Sequence, residues 1–379
     1  MSAVGKIEDM TNTVDRIMEL AIQIQQIAAP TFHEQKRAEF VRDRFVQEGL
    51  KDVTMDETGN VYGKWEVGSG KWKNGKPLVI SAHLDTVFPF DMDLSVRRNG
   101  NRIHGIGIGD NSLGVAALFG LIWMLSERGD DDPQMGEIWF VANTCEEGLG
   151  DLRGMKAVVD RFGSDALAYL VLEGMALGHV YHKAVGVKRY RVKAKTHGGH
   201  SWSDYGQPSA VLELSRLIVQ LSAIQLPSKP RTTMNVGRIN GGTSINTIPA
   251  EAWMELDLRS EGQKELAELI EGVDQLIEAA NKPGVTVEAE IIGARPAGEL
   301  NPNHPLVKLA QGCLHEQGLD AALTSGSTDA NIPLSRGYPA LVLGVTKGGG
   351  AHTMNEYIET PLIGKGMAQL ARFVEKVWE

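Results

Sequence analysis

Three short apolar runs, each followed within a few residues by an acid or a histidine, constrain this chain more than any other feature. Pro77 to Ala82 leads into His83, Ile138 to Ala142 into Glu146-Glu147, and Ala166 to Leu172 into Glu173. Continuous apolar runs of this length read as strands covered on both faces. Segments with helical spacing, Leu113 to Leu125 and Gly154 to Arg161, lie between them. Alternating helices and buried strands predict an α/β domain with a largely parallel central sheet. Such sheets bind ligands beyond the carboxyl ends of their strands, which is where these polar residues stand.

The flanking segments extend this domain. Asn12 to Gln47 carries apolar residues at helical spacing, broken at Ala29-Pro30-Thr31, and Thr31 with Glu34 matches a capping box opening a second helix. A strand over Val61 to Val67 and a Lys/Gly-rich turn follow. From Lys183 the texture changes. Val185 to Lys195 alternates like a half-exposed strand, Pro208 to Ala223 reads as a helix, and Thr232 to Ile239 and Ala250 to Arg259 read as strands. A helix over Gly262 to Ala280 and a strand over Val285 to Ile292 close the section. That order is βαββαβ, the ferredoxin-like unit. After Gly293 the α/β texture resumes with a helix at Pro305 to Gln317, a strand at Ala340 to Val345 and a last helix from Pro361. Residues 1–183 and 293–379 are thus expected to form a discontinuous catalytic domain, and residues 184–292 an inserted lid or dimerisation domain. A chain of 379 residues is long enough for two cores.

Charge and cysteine usage narrow the partners. The net charge is −10 with no basic block, so a footprint for nucleic acid or anionic lipid is not expected. Cys145 and Cys313 make no CxxC pair, which fits a reducing compartment. The first residues lack a basic stretch followed by an apolar one, and Gly114 to Leu125 is read as too short to span a bilayer. A cytoplasmic protein is expected.

Five groups qualify as metal ligands: His83, Asp110, Glu147, Glu173 and His352. In His83-Leu84-Asp85 alternate residues of an extended chain share a face, so Asp85 is expected to hold the imidazole of His83. Glu146 and Glu147 are adjacent and diverge, so one can face a metal and the other a bound water. The glycines of Gly105-Ile106-Gly107-Ile108-Gly109-Asp110 invite a dinucleotide-loop reading, but an aspartate at the mouth of the next helix repels a pyrophosphate. Sharp turning of the backbone to aim Asp110 at a cation explains them better.

The strings His83-Leu84-Asp85-Thr86-Val87, Gly109-Asp110-Asn111-Ser112-Leu113-Gly114, Cys145-Glu146-Glu147-Gly148, Leu172-Glu173-Gly174, Gly198-Gly199-His200-Ser201 and Ala351-His352-Thr353 occur in a familiar order. The chain resembles the co-catalytic di-zinc peptidases that include glutamate carboxypeptidase, aminoacylase, peptidase T and succinyl-diaminopimelate desuccinylase. The resemblance implies two divalent ions, zinc first with manganese or cobalt as substitutes. Asp110 would bridge them, Glu147 and His352 would complete one site, and His83 and Glu173 the other. It also implies Glu146 as general base, Asp85 as support for His83, and a cis peptide at Asp110-Asn111. Ser112 departs from the lysine many members carry there, and Glu173 is the longer of the two acids found at its position.

In the inserted domain the resemblance implies that His200 stabilises the oxyanion, often across a dimer, and that Asn246 and Arg259 hold the substrate's carboxylate or backbone. The planar fork of an arginine suits a carboxylate. A homodimer through this domain follows from the same likeness. His197, three residues before His200, is a further imidazole that such a loop can bring to substrate, and the loop Ser325 to Asp329 is a candidate wall of the pocket. The implied function is an exopeptidase or carboxypeptidase acting on small peptides. An N-acyl-amino-acid amidohydrolase is the alternative, and a non-catalytic binding protein that kept the fold is the third reading. The joint presence of five ligands with Glu146 and Asp85 argues against the last.

Overall fold

The computed structural model of the protein describes residues 3–66, 75–127 and 136–379. Val67 and most of the Lys/Gly-rich turn expected after it lie outside them. The chain divides into two compact units, one of Met1–Lys183 with Glu299–Glu379 and one of Ala184–Gly298. The second unit ends at Gly298 and not at residue 292 because its last strand, Val285–Arg295, continues past a bulge at Ile291 to Gly293 that interrupts the sequence pattern.

Among the described residues the first unit is built on a nine-stranded sheet. Its centre is four parallel strands in the spatial order Ile138–Asn143, Leu78–His83, Ala168–Glu173, Ala340–Gly344. The first three are the apolar runs of the sequence. Nearly every residue of the four is buried, which is why they show no polar alternation. Lys51–Met55 and Val61–Trp65 continue the sheet antiparallel at one edge, and His179–Ala184 does so on the other side.

The helix Leu113–Ser126 is packed against the helices Ala3–Gln25 and Ile363–Lys376. The stretch Ile108–Ser126 spans 19 residues and is long and apolar enough to cross a bilayer, contrary to the expectation from the shorter run. Its apolar window is 89% buried inside the protein, so it is a core helix.

The capping box does not form. The second helix is Gln35–Gln47, preceded by Glu34, and no side chain caps it. Instead the Thr31 hydroxyl donates to Asp85 Oδ2 at 2.9 Å, and Glu34 Oε1 accepts the backbone N–H groups of Phe32 and Cys145 at 3.1 and 3.0 Å. Buried groups at the sheet's carboxyl edge recruit both side chains, because leaving them unpaired costs more than an uncapped, solvated helix end.

The second unit runs βαββαβ: Gly186–Thr196, Ala210–Ser222, Thr232–Gly241, Glu251–Ser260, Gln263–Ala279 and Val285–Arg295. Its four strands are antiparallel in the spatial order fourth, first, third, second. Tyr190, Val192, Ala194, Met254, Leu256 and Leu258 form its core with the two helices. The intervening residues Arg189, Arg191, Trp253, Glu255 and Asp257 fall on the other face, as the period of two requires.

Candidate metal centre

Adjacent parallel strands end together, and this brings the polar residues into one place. His83 and Glu173 are the last residues of neighbouring strands. Glu146 and Glu147 follow Ile138–Asn143 on the other side of the His83 strand. Asp110 comes from the turn Ile108–Ser112 ahead of the core helix, and His352 from the loop after Ala340–Gly344. Cys145 and His352 both adopt left-handed backbone, with φ of 56° and 63°, which is uncommon for side chains of their size.

The two oxygens of Asp110 face different imidazoles. Oδ1 lies 3.1 Å from His83 Nε2, and Oδ2 lies 3.0 Å from His352 Nε2. Glu173 Oε2 is 3.9 Å from His83 Nε2, and Glu147 Oε1 is 2.9 Å from His352 Nε2. Donor atoms of His83, Asp110 and Glu147 all lie within 4.8 Å of one another. Two donors bound to one ion at about 2.0–2.2 Å stand roughly 3–3.5 Å apart, so the separations of 3.1, 3.0 and 2.9 Å between Asp110 and His83, Asp110 and His352, and Glu147 and His352 suit coordination. The donor chemistry also fits, since two imidazoles and three carboxylates form a mixed N/O set.

Electrostatics point the same way. Burial pushes the Glu173 carboxyl up to about 8, with Asp110, Asp329 and Glu147 adding to the effect against His83. Asp110 and Glu147 raise His352 to about 10, and although burial works against charge on His83, Asp110 and Asp85 hold it well above the ordinary imidazole value. Carboxylates crowded here therefore borrow protons that a cation would replace. At neutral pH the metal-free centre holds protons on Glu173 and His352, and metal binding must expel them. Metal affinity is expected to fall as pH drops from 8 to 6. Calorimetric titration in buffers of different ionisation enthalpy should show more than one proton released per chain at pH 7, and fewer as pH rises through 8.

Asp85 stands beside His83 as expected and has a second role. His83 Nδ1 lies 3.6 Å from Asp85 Oδ1 and 3.1 Å from the Asp85 backbone oxygen. The carboxylate chiefly accepts the backbone N–H groups of Glu146 and Glu147, at 2.9 and 2.8 Å. Asp85 thereby sets the turn that presents both glutamates. Arg37, buried behind it, donates to the backbone oxygens of Ile27 and Leu84.

Sequence reasoning missed Glu356. Its carboxylate is fully buried and accepts the N–H groups of Gly107, Gly109 and Asp110 at 2.9, 2.8 and 2.9 Å. It anchors the turn that carries Asp110, where Gly107 has φ of 69° and an added Cβ would come within 2.9 Å of Thr86. An acid four residues after His352 has no periodic or strand-end signal to mark it. Asn111, after a cis Asp110-Asn111 peptide, ties the same turn to the Glu173 strand by donating to Leu172 O and accepting from Gly174 N. Glu356→Ala is expected to weaken metal binding by about 10–100-fold, the usual cost of losing a partner that orients a ligand. Competition with a fluorescent chelator measures this.

Within the second unit, Gly199–His200 pairs antiparallel with Thr247–Ile248, and Ser201 N donates to Asn246 O, so His200 and Asn246 share one corner. His200 Nδ1 accepts the N–H groups of Trp202 and Ser203 at 3.2 and 3.4 Å, which leaves the proton on Nε2 as a donor. His197 lines a cleft of about 550 Å³ with Gly198, Thr247 and Trp253. Arg259 is not in that corner. It pairs across from Val187 at the far end of the sheet and binds Asp257 Oδ2 through Nε at 2.7 Å, roughly 25 Å of strand away from Glu251. Asp329, in the Ser325 to Asp329 loop, is buried and accepts from Asn143 Nδ2 at 2.7 Å.

The sequence model of peptidase family M20/M25/M40 matches residues 79–376, a span that contains all five clustered groups. The chain belongs to this family. It is 25% identical to carboxypeptidase G2 of Pseudomonas sp. over 87% of this chain and 82% of that protein. It is 24% identical to succinyl-diaminopimelate desuccinylase of Corynebacterium glutamicum over 94% of this chain and 95% of that one. A solved tripeptidase structure from Staphylococcus aureus superposes with a TM-score of 0.81 at 21% identity, covering 96% of this chain and 98% of that chain. That likeness is one of fold. Membership of the M20/M25/M40 family makes the chain a metal-dependent hydrolase of peptide bonds.

Proposed function

We propose that this M20 member is a two-metal exopeptidase of the carboxypeptidase type, acting on small peptides. The observation that carries the reading is Asp110, whose two oxygens face His83 and His352 separately at 3.1 and 3.0 Å, as a carboxylate shared by two cations would. His83 and Glu173 would hold one ion, and His352 and Glu147 the other. Bound there, two divalent ions, zinc first and manganese or cobalt as substitutes, supply a Lewis acid for the scissile carbonyl and lower the pKa of water toward about 7.

The chain's own residues do the rest. Glu146, buried beside the cluster and set by the hydrogen bond from its N–H to Asp85, takes a proton from the attacking water and passes it to the leaving amine nitrogen. His200 donates from Nε2 to the oxygen that gains charge. Arg259, aligned by Asp257, binds the substrate carboxylate.

The inserted unit, ferredoxin-like in its strand order, serves in this reading as lid and dimerisation surface. Roughly 25 Å of strand separates the His200 corner from Arg259 within this unit, too far for both to touch one small substrate, which supports a homodimer with His200 reaching across it. A deacylase for N-acyl amino acids uses the same groups and is the second reading, favoured by the likeness to the desuccinylase. A panel of dipeptides, tripeptides and N-acyl amino acids separates them. The first reading expects peptides to be turned over with higher kcat/KM than N-acyl amino acids carrying the same C-terminal residue, and the reverse order selects the deacylase.

A further inference from the structure

Among the described residues of the first unit, seven large hydrophobic side chains are exposed: Phe32, Val46, Val87, Phe90, Leu149, Leu323 and Met354. Singly scattered exposed hydrophobics need no explanation, but these are not scattered. Five of them lie on the loops that carry the metal centre. Val87 and Phe90 follow Asp85, Leu149 follows Glu147 by two residues, Met354 follows His352 by two, and Phe32 adjoins Thr31, which binds Asp85.

Contacts join three of these loops, residues 30–33, 85–90 and 147–153, into one rim. Thr31 N donates to Thr86 O at 3.3 Å, and Pro30 bridges to Thr86. The Phe90 ring stands 5.4 Å from His33, and Arg153 lies 5.1 Å over the Phe32 ring. A Cβ added at Gly150 would come within 2.7 Å of Thr31 Cγ2, so the Leu149 turn packs against the same segment. Phe90 and Leu149 are 59% and 61% exposed on this rim, whereas His83 and Glu147 are buried and Asp110 and Glu173 partly so.

We infer that this rim is an apolar subsite for the acyl side of the substrate, and that the preferred substrates carry an aromatic or branched aliphatic group there. The inference rests on the function proposed above in one respect. A substrate whose scissile carbonyl lies at this centre carries its acyl portion next to it, and the loops that hold the ligands are the surface of this unit nearest to that portion. Polar ligands of the centre already hold the reacting atoms, so a polar acyl group would leave the rim's hydrophobic surface in water. An apolar group covers it, and a well-filled apolar contact discriminates by about ten-fold or more.

The test compares N-acetyl and N-phenylacetyl forms of one amino acid, with binding to the zinc-loaded Glu146→Gln protein measured by calorimetry and hydrolysis measured on the wild type. The phenylacetyl ligand should bind about ten-fold more tightly, and in the same background Phe90→Ser combined with Leu149→Ser should bring the ratio of the two affinities close to one. Both residues are exposed, so circular dichroism and an unchanged zinc content verify the fold of the variant. Equal or undetectable binding of the two ligands, or a preference that survives the double substitution, overturns the inference. Binding with the preference by the Glu146→Gln protein, beside a wild type that hydrolyses neither ligand nor any peptide, leaves the subsite standing and removes the proposed function instead.

Discussion

Glu146→Gln is expected to lower kcat by about 10²–10⁴ while the purified protein keeps its full metal content. Glutamine fills the same volume and its backbone N–H still binds Asp85, so the turn that presents Glu147 stays in place. In the proposed mechanism the substitution removes the group that accepts a proton from water and returns it to the amine. Stopped-flow or steady-state rates, read beside metal analysis of the same sample, check this directly. A variant as fast as wild type would assign the proton transfer elsewhere, and a variant that loses metal would make Glu146 a ligand.

Asp110→Ala is expected to empty the whole centre. Each of its oxygens faces one imidazole, so this side chain joins the two halves. The variant leaves His83 with Glu173 and His352 with Glu147, two-donor remnants that bind weakly. Affinity at both positions should fall by more than the 10–100-fold typical of a lost orienting partner, and activity should fall below detection. His83→Ala, by contrast, should weaken one position far more than the other. Elemental analysis after dialysis distinguishes the patterns, and a variant of Asp110 that retains one tightly held ion would show that the aspartate does not join the two halves.

The legibility of the site followed from where its residues stand. His83 and Glu173 end apolar runs, and Glu146-Glu147 follow one, so a rule about strand ends locates them from the sequence alone. Asp110 and His352 sit in irregular turns with no periodicity; the glycines ahead of Asp110 point to it, and the order of short strings marks both. Glu356 and Arg37 were invisible because their importance lies in backbone groups they bind far along the chain, and no local pattern records such a partner. The strand His179–Ala184 went unread because it follows the Glu173 strand after a few residues and pairs antiparallel, a turn that the expectation of helical crossovers passes over. The capping-box reading of Thr31 and Glu34 failed for a related reason, since local propensity lost to buried partners supplied by Asp85 and Cys145.

The most direct test is anomalous diffraction from crystals of the zinc-loaded protein, recorded on both sides of the zinc edge. The expected map holds two peaks per chain about 3.5–4 Å apart, one between His83, Glu173 and Asp110 Oδ1 and the other between His352, Glu147 and Asp110 Oδ2. A single peak, or a pair that leaves Asp110 uncoordinated, would contradict a shared two-cation centre.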